Sequence, residues 1–91
     1  MKLITKLRMI IPTITDWIEK NNVVRADIYK KRQLVETFEV SKIAISNILE
    51  IAAKGNRKSC CIDLNSIFDI GIVNGVCAIE YNDLTIMITR Q

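Results

Sequence analysis

The stretch that most constrains this chain is Gln33–Leu49, QLVETFEVSKIAISNIL. Leu34, Val35 and Phe38 recur at helical spacing, and Val40, Ile45 and Ile48 continue the apolar face after a break at Glu39-Val40. Ser41 suits the N-cap of a second helix, because its hydroxyl can accept a bond from a backbone N–H that the helix leaves unpaired. The spacing therefore predicts two short helices joined by a tight turn. Ile45, Ile48, Leu49 and Ala52 form an inner stripe, while Ile43, Ala44 and Ile51 lie largely off it. A helix apolar nearly all round is usually buried, so a plain core helix is the competing reading.

Leu34, Val35, Val40, Ser41, Ile45 and Ile48 stand in apolar and capping positions that together resemble the helix-turn-helix of bacterial and phage DNA-binding regulators. The turn position, where glycine is usual, holds Glu39. The resemblance implies that the second helix enters the major groove. The polar set Ser41, Lys42, Ser46 and Asn47 would then serve contact, with Lys42, Ser46 and Asn47 nearest the bases, since Asn can bond adenine bidentately and Lys or Ser can bond phosphate or guanine. Lys30, Lys31 and Arg32 before the pair, and Lys54, Arg57 and Lys58 after it, would contact phosphates or steer approach.

The flanking segments are read as support and cover. Leu3, Ile4, Leu7, Ile10 and Ile11 fit a helical stripe with Lys2, Lys6 and Arg8 mostly opposite. Such a segment packs on a core, or lies on a membrane surface or on acidic phosphates. Pro12 is expected to end it, and Thr13 with Asp16 to form a capping box that starts a new helix. Trp17, the only tryptophan, is the candidate core anchor. Val23–Tyr29 reads as a short strand or as helix. Lys54-Gly55-Asn56 reads as a helix C-cap. Cys60, Ile62 and Leu64 alternate, as in a short strand, and Asn65-Ser66 opens a turn or single helical turn through Ile70. Gly71 and Asn74-Gly75 are punctuation.

The C-terminus carries the clearest β signal. Val76–Tyr81 and Leu84–Arg90 flank the loop Asn82-Asp83. Pairing across it sets Tyr81 against Leu84, Ile79 against Ile86 and Cys77 against Ile88, all on one apolar face. Glu80 opposite Thr85, Ala78 opposite Met87 and Val76 opposite Thr89 make a mixed second face. The predicted fold class is thus α+β: an N-terminal helical part with a helix-turn-helix-like pair, then a short strand and a C-terminal hairpin, like a winged helix. Its 91 residues are expected to form a single domain, 1–91.

Thirteen basic against ten acidic residues give +3, which permits nucleic-acid binding without requiring it. With no histidine, no Gly-rich phosphate loop and no recognisable carboxylate pair, the chain is not expected to be an enzyme or to hold a cofactor. Cys60, Cys61 and Cys77 are odd in number and lack metal-ligand spacing, so they read as reduced thiols of a cytoplasmic protein with no metal. No segment is long enough to span a membrane. Two functions follow. One is a small DNA-binding transcriptional regulator, working on double-stranded DNA as a homodimer. The alternative is a protein-interaction module or inhibitor, dimeric or docked on a larger protein, without DNA binding. The surplus apolar residues Ile43, Ile51, Val76, Ala78 and Met87 favour an interface.

Overall fold

The computed structural model describes residues 3–55 and 59–91. Among them the chain forms one long helix and seven antiparallel strands. The helix, α1, runs Leu3–Glu19. The strands are β1 Val24–Lys30, β2 Gln33–Ile45, β3 Ile48–Ala53, β4 Cys60–Asp63, β5 Ile67–Val73, β6 Val76–Tyr81 and β7 Leu84–Arg90. A three-residue 3₁₀ turn, Leu64–Ser66, links β4 to β5.

The α+β expectation with a helix-turn-helix pair is overturned, because Gln33–Ile45 and Ile48–Ala53 are strands, not helices. The residues explain why. Val35, Thr37, Phe38, Val40, Ile43, Ile45 and Ile48 are β-branched or aromatic and pack readily on a pleated surface. Phe38 and Val40 point inward, and then the register against β3 slips between Val40 and Lys42. That bulge moves the next inward position to Ile43. The inward spacing from Val40 to Ile43 is then three, which imitates a helical step. Ser41 sits in the bulge and donates its hydroxyl to the Ala52 carbonyl at 3.2 Å. It does not cap a helix.

The bulge also bends β2. Its first half pairs with β1 and its second half with β3. The strand order is β4-β3-β2-β1-β7-β6-β5, so β4 and β5 form opposite edges although only Leu64–Ser66 separates them in sequence. Laid flat, seven strands would set those edges about 29 Å apart. The link from Asp63 to Ile67 spans at most about 14 Å. The sheet must therefore curl until its edges approach. Asn82 N–H bonds the Ser66 carbonyl at 3.2 Å, which ties the link to the β6–β7 turn.

α1 packs against the inner face of this curl. Leu7, Ile10, Ile14 and Trp17 recur every three or four residues and are buried with Val24, Ile28, Phe38, Ile51, Ile79, Ile86 and Ile88 in one cluster. The expected break at Pro12 does not occur, and Thr13 with Asp16 forms no capping box. Pro12 lies inside the helix on its exposed side. The bond it forfeits would have gone to the Arg8 carbonyl, also on an exposed residue, where water can replace the donor. The Thr13 hydroxyl donates to the Met9 carbonyl at 3.3 Å, and Asp16 pairs with Lys20 at 3.1 Å. Both contacts are internal to the helix. Trp17 is buried as expected, with the Arg90 guanidinium 5.7 Å from its ring centre.

The C-terminal hairpin has the expected register at all six pairs, from Val76 with Thr89 to Tyr81 with Leu84. Cys60–Asp63 is the expected short strand, and Val24–Lys30 is strand rather than helix. Gly55, at φ +80°, lies in a bend after a strand, so Lys54-Gly55 caps no helix, and Asn56 lies outside the described residues. Among the described residues no helix is long and apolar enough to cross a membrane.

Candidate functional site

Of the ten residues assigned to DNA contact, the eight that are described fall in separate parts of the sheet. Lys30, Lys31 and Arg32 sit at the β1–β2 turn, with Lys31 and Arg32 both at positive φ (51° and 68°). Ser41 and Lys42 lie in the second half of β2, and Ser46 and Asn47 at its far turn. That turn is separated from Arg32 by about 40 Å of extended, bent chain. No recognition helix carries Ser41, Lys42, Ser46 and Asn47, because the segment is sheet. Lys30 pairs with Asp83 at 3.7 Å, and Lys54 forms an ion pair with Glu39. Arg57 and Lys58 lie outside the described residues.

The polar groups of the sheet are mostly used within it. Asp27 is the buried charged residue among those described. It accepts a bond from the Thr37 hydroxyl at 2.6 Å and pairs with Arg25 at 3.3 Å. A buried carboxylate partnered in this way is anchored within the sheet. Cys60 on β4 and Tyr81 on β6 share a side-chain hydrogen bond that joins the β4 edge to the strand next to the β5 edge. Burial, the largest cause, raises the Cys60 thiol above its ordinary range; the bond from Tyr81 opposes this, and nearby Glu36 adds to it. Burial pushes the Tyr81 phenol up to about 12, with Cys60, Glu36 and Asp83 adding to it. Cys77, enclosed in the core, is also pushed up to about 12 by burial alone. A thiol held protonated is a poor nucleophile. No cluster of three or more metal-ligating side chains occurs among the described residues.

Among the described residues, three surface depressions stand out. One of about 400 Å³ lies beside the β1–β2 turn, between Tyr29, Lys31, Arg32, Thr85 and Met87. Another, about 320 Å³, separates the end of α1 from β2 at Ile18, Ser41 and Lys42. The smallest, about 220 Å³, runs between α1 and β5 and is lined by Lys6, Met9, Ile10, Ile70, Gly71 and Ile72. The third differs in kind because it adjoins an open backbone edge. β5 pairs with β6 on one side only.

The register shows which backbone groups face outward. β5 and β6 are joined by the two-residue turn Asn74-Gly75, both at positive φ. The pair flanking such a turn, Val73 with Val76, exchanges both of its ladder bonds. Alternation then directs Gly71 inward to Ala78, and leaves Ile70 and Ile72 with N–H and C=O facing away from β6. The Ile70 N–H bonds the neighbouring Asp69 carboxylate at 2.9 Å, which agrees with its outward direction. Beside this edge Met9 is 58 % exposed, Ile72 37 % and Val73 69 %.

None of these edge residues stood out in the sequence as a site. The available signal was Asn74-Gly75, a strong two-residue hairpin turn that implies a strand on its N-terminal side. The expected apolar surplus is only partly outward. Ile43 and Ile51 are buried within the chain, whereas Val76, Ala78 and Met87 lie half-buried on the outer face of the sheet. Comparison of the chain with protein-family models, with curated proteins and with solved structures finds no match.

Proposed function

We propose that this protein is a small protein-interaction module that works by strand addition at β5, with the α1–β5 groove receiving the partner's side chains. The observation that carries the reading is the open edge at Ile70–Ile72. It presents backbone groups that no strand pairs, the Ile70 N–H being held by the Asp69 carboxylate, directly beside an apolar groove. Strand addition uses such a pair of features together: main-chain bonds supply affinity, and a neighbouring pocket for alternate side chains supplies selectivity. The edge carries no lysine or proline, the usual blocks to pairing, and Asp69 is its one charged residue. The opposite edge, β4, is only four residues long.

DNA binding is the weaker reading. The helix-turn-helix route is lost with the helices, and two of the described candidate cations, Lys30 and Lys54, are paired with carboxylates. Phosphate recognition draws on several free cations along one face.

Nuclear magnetic resonance of the labelled protein tests the proposal. Seven-residue extended apolar peptides should shift the amides of Ile70, Ile72 and Val73 and the methyl group of Met9. Peptides with a proline at the central position should leave them unmoved. Absence of any shift at millimolar peptide, or shifts centred on Lys31 and Arg32 instead, would remove the docking edge.

A further inference from the structure

We infer that the partner at this edge is a second copy of this chain, paired β5 to β5 about a two-fold axis through Gly71; this rests on the docking reading above. The outward groups of β5 fall at Ile70 and Ile72, one residue either side of Gly71. An antiparallel two-fold through Gly71 sets Ile70 of each copy opposite Ile72 of the other. Both pairs then fall where the two strands can exchange bonds, so the edges satisfy each other. A C2 contact needs such a self-complementary patch.

Gly71 supports the axis independently. Its φ is not in the left-handed region, and a Cβ added to it would meet nothing within 4 Å. Nothing inside the chain calls for glycine there, and glycine in a strand forfeits packing and costs conformational entropy. At the axis the two Gly71 residues would form the wide, unbonded pair, where backbones come closest, about 4.5 Å between Cα atoms. Glycine in a strand often marks such an approach of a second backbone.

Charge and apolar surface agree. Each copy brings one anion on the edge, Asp69, and one cation in the groove, Lys6, so the joined surface gains no net charge. The two grooves adjoin across the axis, and Met9 and Ile72 of both copies gain cover. Asp69 tempers the contact. Its carboxylate already occupies the Ile70 N–H and must release it when the second strand arrives. It acts as a guard that keeps the edge from open-ended pairing.

Sedimentation equilibrium on three forms of the full chain decides the matter. The natural protein should shift with concentration towards twice its 10.4 kDa mass and stop there. Asp69→Ala should tighten the dimer about tenfold or more, since each copy gains a free donor at the contact. Ile72→Pro removes a donor that β6 does not use, and so should be monomeric with an unchanged far-ultraviolet spectrum. A natural chain that stays monomeric to millimolar concentration would overturn the dimer. So would a folded Ile72→Pro that associates as well as the natural chain. If Ile72→Pro does not fold, Asp69→Ala decides alone, and no tightening overturns the inference. A monomer that still shows peptide shifts at Ile70, Ile72 and Met9 keeps the docking edge and loses only the second copy.

Discussion

Trp17→Ala is expected to destabilise the protein by about 3–5 kcal/mol. Trp17 is 6 % exposed and closes the end of the apolar stripe by which α1 fills the curled sheet. Its removal leaves a ring-sized void, and the surrounding Ile and Val side chains are held by strand pairing and cannot collapse fully into it. Arg90 would also lose the ring beneath its guanidinium. A domain of this size typically has about 5–14 kcal/mol of stability, so the change removes a large part of it. Urea unfolding followed by circular dichroism reads the effect directly. A loss under about 1 kcal/mol would mean that the helix does not seat in the sheet.

Stability is expected to hold up to about pH 9 and then fall by about 4 kcal/mol by pH 11. The sign follows from the neutral forms. Cys77 and Tyr81 are acids whose folded-state values are raised, from 9.0 and 10.0 respectively, to about 12 each. Below pH 9 both are protonated in either state and contribute no slope. From pH 9 upward the unfolded chain loses the Cys77 proton while the folded chain keeps it, and from pH 10 Tyr81 does the same. Each costs about 1.4 kcal/mol per pH unit within its window. The raised Cys60 thiol acts in the same direction. Under reducing conditions, urea midpoints from pH 7 to 11 should trace this decline. Cys77→Ala should make the decline between pH 9 and 10 shallower, leaving the Cys60 contribution there until the unfolded tyrosine begins to titrate. A level profile through pH 11 would place Cys77 in contact with water.

Where the chain alternates without interruption, its structure is legible in the residues. Val76–Arg90 is one example: two even strands about a short turn, with Tyr81–Leu84, Ile79–Ile86 and Cys77–Ile88 falling on one face. Two β-bulges hide the rest. In β2, the slip at Ser41 places Val40 and Ile43 three apart on the same face. In β5, the slip after Ile67 does the same for Ile67 and Ile70, so the segment reads as a helical turn. A bulge adds one residue to a period of two, and the resulting step of three is shared with a helix. Pro12 misleads for a different reason. Its cost depends on whether the carbonyl it strands can reach water, and that depends on which face the rest of the fold leaves open. The candidate edge was invisible for a related reason. Ile70 and Ile72 are ordinary core-type residues, and their importance comes from strand order. That order follows from β7 pairing with β1 and leaving β5 outermost.

Site-resolved amide hydrogen exchange at β5 tests the central claim most directly. In dilute solution the Gly71 and Val73 amides should be protected by β6, while the Ile72 amide between them exchanges close to the rate of an open chain. At high concentration, Ile72 should gain protection and its neighbours should change little. An Ile72 amide already protected in dilute solution, or one still open at millimolar protein with added apolar peptide, would contradict an edge built to receive a strand.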